Sequence, residues 1–138
     1  MKVYFACSIT GGRQNEAVYA AIVQALQDAG FEVPTAILAS PEVVALEEVV
    51  DAVEVYTRDV AWIEASKALV AEISTPSHGV GYEIAYALNR GMPVLCLYRQ
   101  GVKISKMISG NTAGNLEVTA YAHPAGAVQA VGDFLSRI

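Results

Sequence analysis

The sequence has no block of lysine and arginine and no basic stripe: nine basic residues stand against 14 acidic ones, a net charge of −5. A nucleic-acid polymer is therefore not an expected partner, because phosphate-backbone binding rests on clustered cations. A single nucleotide remains possible, since a local pocket of backbone N–H groups needs no basic protein. No apolar run is long enough to cross a bilayer, so no membrane is expected. The opening "MKVYFACSITGG" is too short in apolar residues for a secretory segment and turns straight into Gly-Gly, so it reads as a first strand, with the cytoplasm as the expected location. Cysteine is scarce. Cys7 and Cys96 sit in apolar runs without C-x-x-C spacing, as buried thiols of a reducing compartment do. His78 and His123 lie far apart with no ligand spacing around either, so neither a metal site nor a cofactor is expected.

What the chain does have is apolar material: 54% of its 138 residues, enough for one domain over 1–138 with one substantial core. The apolar stretches alternate in type. "KVYFACS" is nearly continuous, as in a strand covered on both faces. "GGRQNEAVYAAIVQALQDAG" reads as turn, helix and C-cap, with Ala17, Ala20, Ala21, Val23, Leu26 and Ala29 as its apolar face. "FEVPT" is a short second strand, placed near an edge or a strand end by Pro34. Segment 42–66 has helical spacing and breaks near Val49–Val55. "KALVAEIS" is a third strand, 79–91 a helix ending at Gly91, "PVLCLYR" a fourth strand, "LEVTAYA" a fifth, and 125–137 a closing helix. This alternation predicts an α/β domain: a doubly wound, five-stranded parallel sheet of order 2-1-3-4-5, flavodoxin- or Rossmann-like, with helices on both faces.

Ligands of such folds sit beyond the carboxyl ends of the strands. The loops there are "CSITGGR", "STPSHGVGYE" and "YRQGVKISKMISGN", the stretches rich in Gly, Ser and Thr. In the second, Ser77 can cap a helix, and Gly79 and Gly81 remove side chains beside its start. Glu83 follows, in an otherwise apolar helix. It is either an anchor for free backbone N–H groups or a carboxylate nucleophile kept ionised by the positive helix end. Gly11 and Gly12 suit a tight strand–helix turn or a phosphate cradle, but form neither G-x-G-x-x-G nor a Walker loop. Asp59 lies on a helix beside Trp62 and Ile63, Tyr4 lies inside the first strand, and Ser105 lies in a loop; taken singly, each has an ordinary structural explanation.

Taken together, "VYFACSITGGR" and "RDVAWIEASKALVAEISTPSHGVGYEIAYAL" resemble the nucleoside 2-deoxyribosyltransferase superfamily, and within it the branch of 2′-deoxynucleoside 5′-monophosphate N-hydrolases. The likeness rests on Y-F-x-x-S-I-x-G-G-R, on D-x-x-W and on P-S-x-G-V-G-Y-E, with Asp59 twenty-four residues before Glu83. It implies an enzyme that hydrolyses the N-glycosidic bond of (deoxy)nucleoside 5′-monophosphates. Glu83 matches the nucleophile, Tyr4 the tyrosine that positions it, and Asp59 the aspartate near sugar and leaving base. Ser8, Ser77 and Gly79 match positions around the 5′-phosphate. Ile9, Gly11, Gly12 and Arg13 match the loop over the nucleotide, and Met107 an apolar contact near it. Ser105 matches a serine that reaches the neighbouring subunit's phosphate, so a homodimer is implied. The chain departs from that branch at "PTAIL", where T-E-H is usual, at Thr10, where arginine is common, and at Lys67, where an acid is usual.

Two other functions fit the same residues. A deoxyribosyltransferase would share the first half-reaction and pass the sugar to a second base. A nucleotide-binding sensor would keep the phosphate loop and have no need of Glu83.

Overall fold

The structure is a computed structural model that describes residues 1–9, 15–39 and 48–138. Strands β1 (Val3–Ala6), β2 (Ala68–Glu72), β3 (Val94–Arg99) and β4 (Leu116–Tyr121) form one sheet in the order β1-β2-β3-β4, with every pairing parallel. Helices α1 (Glu16–Asp28), α2 (Ala52–Glu64), α3 (His78–Asn89), a single turn α4 (Lys106–Ser109) and α5 (Pro124–Leu135) connect and cover it, and a 3-10 turn spans Ala36–Ala39. No described helix is long and apolar enough to cross a membrane.

Alternation along β1 divides the interior in two. Val3 and Phe5 face α1 and α5, where they join Tyr19, Ile22, Val131 and Phe134. Tyr4 and Ala6 face α2 and α3, where they join Ile63, Val80, Ile84 and Ala87. Helices therefore lie on both faces, as the alternation predicts. Cys7 is buried in the first cluster and Cys96 in the second. Gly30 (φ 90°) and Gly91 (φ 74°) take the left-handed conformation just beyond α1 and α3, where a side chain would be strained.

The expected five strands in order 2-1-3-4-5 are corrected to four among the described residues. "FEVPT" contributes only one parallel bridge, Lys2 to Glu32. Glu32 N–H donates to Met1 at 2.9 Å and Val3 N–H donates to Glu32 at 3.0 Å. The next donor in that ladder falls to Pro34, which has no N–H. The Thr35 hydroxyl then accepts the buried Phe5 N–H at 3.0 Å, so a side chain takes the place of a strand.

Two further expectations change. The buried face of α1 is Val18, Tyr19, Ile22, Val23 and Leu26, with Ala17 and Ala20 exposed. Branched and aromatic side chains remove more apolar area from water than alanines do, and they set the helix's rotation. The loop after β3 also winds into the short turn α4, capped by the Ser105 side chain. Of the expected helical segment 42–66, residues 42–47 lie outside the described residues; residues 49–51 are not helical, and α2 begins at Ala52, with the Asp51 side chain accepting from Val53 N–H at 3.2 Å.

Candidate functional site

Three elements converge at the carboxyl end of β1. Tyr4 is wholly buried and points toward α2 and α3. Helix α2 presents Arg58 and Asp59, joined at 2.7 Å from Nε to Oδ1, with the guanidinium 4.7 Å from the centre of the Trp62 ring. Helix α3 presents Glu83. Two polar contacts tie these helices together: the Tyr56 and Tyr82 hydroxyls lie 3.4 Å apart, and Tyr86 donates to Glu64 at 2.6 Å.

The start of α3 has the form its sequence suggests. Ser77 is extended and accepts from Val80 N–H at 3.3 Å through its hydroxyl. Glu83 stands in the second turn, and helical side chains lean back toward the N-terminus. Its Oε1 accordingly lies over Gly79: a Cβ built there would be 3.7 Å from that oxygen and 3.9 Å from the Ser77 hydroxyl oxygen. Gly79 thus leaves an exposed gap between the carboxyl and the helix cap.

The electrostatics of Glu83 depart from expectation. Burial, the largest influence, pushes its carboxyl up to about 7, and the nearby charge of Asp59 adds to this. The Tyr4 hydroxyl and the Arg58 guanidinium act in the opposite sense. The helix dipole acts mainly within the first turn and Glu83 lies past it, so burial outweighs the helix end and the carboxyl is only partly ionised near neutral pH. Among the described residues the Tyr4 hydroxyl makes no aligned hydrogen bond, yet it is close enough to Glu83 that the two influence each other's proton affinity. Burial, then Glu83 and Asp59, raise the tyrosine well above its ordinary range.

The other predicted residues divide. Ser8 is buried just beyond β1, and Ile9 is half-buried against the α1–α5 side of the core. Gly11, Gly12 and Arg13 lie outside the described residues. Ser105 and Met107 do not join Glu83. They line a separate cavity of about 710 Å³ on the opposite flank of α3, together with Ser77, His78, Ile84 and Lys103. Among the described residues, Ser77 alone of those predicted touches both regions. The Ser105 hydroxyl accepts from Met107 N–H at 3.2 Å, and Met107 is 83% exposed. Arg58 is the residue the sequence reading missed; its only signal was a cation next to Asp59 in "TRDVAW".

A parallel α/β sheet with a partly buried glutamate in the second turn of a glycine-opened helix matches a known class. The chain belongs to the nucleoside 2-deoxyribosyltransferase family, whose model matches residues 3–121. Among its relatives, a Methanosarcina mazei protein provisionally named 2′-deoxynucleoside 5′-phosphate N-hydrolase 1 is 41% identical over 133 residues, spanning 96% of this chain and 83% of that protein. The rat 5-hydroxymethyl-dUMP N-hydrolase is 39% identical over 125 residues, spanning 87% of this chain and 76% of its own. The fold is shared with the CMP N-glycosidase of Clostridium botulinum, at a TM-score of 0.75 and 18% identity over 97% of this chain and 99% of that one.

Proposed function

We propose that the chain hydrolyses the N-glycosidic bond of nucleoside 5′-monophosphates through a glycosyl ester on Glu83. The observation that carries this reading is the position of Glu83: a partly buried carboxyl, flanked by Tyr4 and the Arg58–Asp59 pair and opening over Gly79 beside the Ser77 cap. A Glu83 oxygen attacks C1′ as the bond to the base breaks, and the electron pair departs with the base nitrogen. The sugar passes through an oxocarbenium-like state, and its positive charge favours the ionised carboxyl that burial disfavours in the free protein. Tyr4 orients the carboxyl. Asp59 holds the departing base or a water that protonates it. A second water attacks C1′, loses its proton to solvent or Asp59, and restores Glu83 as it releases sugar 5-phosphate.

Ser8, Ser77 and the N–H groups near Gly79 hold the 5′-phosphate in this reading, and their support is the capped, side-chain-free start of α3. Ile9, Gly11, Gly12 and Arg13 cover the nucleotide. Ser105 reaches a neighbouring subunit's phosphate in a homodimer, and Met107 is an apolar contact near the nucleotide. Their support is their place with Ser77 around the cavity on the other flank of α3, away from Glu83. The cytoplasm suits a protein whose two thiols are both buried.

Common ribo- and deoxynucleoside 5′-monophosphates, each paired with its nucleoside, test the proposal by released base and sugar 5-phosphate. Release from nucleotides alone, with no acceptor base, is the expected result. Release that requires an acceptor base assigns the chain to base exchange. Binding without turnover, unchanged by Glu83→Ala, assigns it to nucleotide sensing. Sedimentation gives the oligomeric state.

A further inference from the structure

A second buried carboxyl, unused by the proposed chemistry, lies at the same end of the sheet. Glu72 closes β2 and has no exposed surface. Three donors converge on it: Ser74 N–H at 2.6 Å and Ser74 hydroxyl at 3.0 Å, and the Tyr121 hydroxyl at 2.7 Å from the end of β4. Ser74 in turn accepts Arg99 N–H at 2.8 Å. The Arg99 guanidinium donates to the Asn15 side-chain carbonyl, and the Asn15 amide donates to the Thr75 hydroxyl at 3.3 Å. Asn15 stands at the N-cap of α1, yet its side chain does not cap that helix. It is turned instead toward Thr75 and Arg99, although capping is the usual use of asparagine there.

The groups so joined come from the loop before α1, from β3, from β4 and from the turn after β2. After Ile73, which is buried in the α2–α3 side of the core, the turn Ser74 to Ser77 consists of small polar residues and Pro76, and its hydrogen bonds to Glu72, Arg99 and Asn15 hold it. It leads directly into the Ser77 cap and Gly79. We propose that Glu72 is a positioning residue that fixes the turn holding the substrate's 5′-phosphate, with Tyr121 and Asn15 as its outer supports. The inference rests on the reading of Ser77 and Gly79 as the phosphate seat. Both Glu72 oxygens accept here, one from the Ser74 N–H, which can only donate, and the other from the Ser74 and Tyr121 hydroxyls. Glutamine keeps the shape but presents an NH₂ group to the two hydroxyls, which must reverse to accept from it; Ser74 already accepts the Arg99 N–H, so its reorientation disturbs the turn.

The test uses Glu72→Gln and Tyr121→Phe, each in the full-length chain carrying Glu83→Gln so that no turnover consumes the ligand. Affinities for dGMP and deoxyguanosine are measured by calorimetry. The expected result is that the preference for dGMP over deoxyguanosine falls by about tenfold or more in Glu72→Gln. It falls less in Tyr121→Phe, which removes one donor, while deoxyguanosine binds as before. A general loosening of the fold weakens both ligands together, and that result overturns the inference. Should Glu72→Gln fail to fold, Tyr121→Phe decides alone: an unchanged preference overturns the inference. A parent protein that prefers dGMP, with variants that keep the preference, removes only the role of Glu72. A parent protein with no preference for dGMP removes the phosphate seat and this inference with it.

Discussion

Replacing Glu83 by glutamine is expected to make the protein more stable and inactive, and the gain should depend on pH in a definite way. Glutamine matches the neutral carboxyl in size and does not ionise. The folded chain holds the Glu83 proton until about 7, whereas an unfolded carboxyl releases it near 4.5. Between those values the folded state binds more protons than the unfolded one, so this group's contribution to stability falls as pH rises. The full shift corresponds to about 3 kcal/mol, reached above the folded value. Glu83→Gln should therefore exceed the parent by under about 1 kcal/mol at about pH 5 and by about 3 kcal/mol at about pH 8. Urea unfolding of both proteins at the two pH values reads this directly. All other titrating groups are common to the two proteins, and any pH-independent effect of the substitution cancels in the comparison. A stability difference that stays level from pH 5 to 8 would refute the raised proton affinity and, with it, the account of Glu83 as a carboxyl strained by burial.

The same carboxyl should govern turnover: kcat/KM is expected to rise with pH along a limb centred near 7, as Glu83 ionises. Arg58→Met removes the cation that favours the ionised form, so that limb should move to higher pH, and a pH–rate profile of the variant shows it. Gly79→Ala introduces a methyl group in ordinary contact, 3.7 Å from the Glu83 oxygen, so thermal unfolding should show no loss, and a gain of up to about 1 kcal/mol from helix propensity. Because the methyl fills the gap above the carboxyl, base release should nonetheless fall by about tenfold or more. Thr35→Val keeps the shape but leaves the buried Phe5 N–H without its acceptor, and chemical denaturation should register a loss of about 1–3 kcal/mol with activity retained.

Much of this architecture was legible because it depends on apolar pattern. The runs around Phe5, Val70, Leu95 and Val118 all became strands, and the helices between them begin and end near the anticipated residues. The strand at "FEVPT" did not form because strand pairing depends on which N–H groups meet a neighbour. Pro34 had marked a boundary, but only the register against β1 reveals that it stops the ladder after one bridge. The convergence of Tyr4, Asp59 and Glu83 was anticipated through the family likeness, whose spacing reflects how β1, α2 and α3 meet. The raised proton affinity of Glu83 was not legible, because a sequence places a carboxylate near a helix start but does not show how much water its neighbours exclude. Arg58 and Glu72 lie within the stretch that carries the family likeness, yet nothing in the sequence gave either a role. Their significance lies in contacts with residues far along the chain, such as Tyr121.

The makeshift edge beside β1 also bears on how the protein behaves at high concentration. Both outward donors of that strand, at Val3 and Phe5, are already satisfied from within, by Glu32 and Thr35. A foreign strand approaching along that margin finds no row of open N–H groups to copy, and Pro34 interrupts any attempt to extend one. The residues that deny the sheet a fifth full strand thus also discourage it from recruiting one from another molecule.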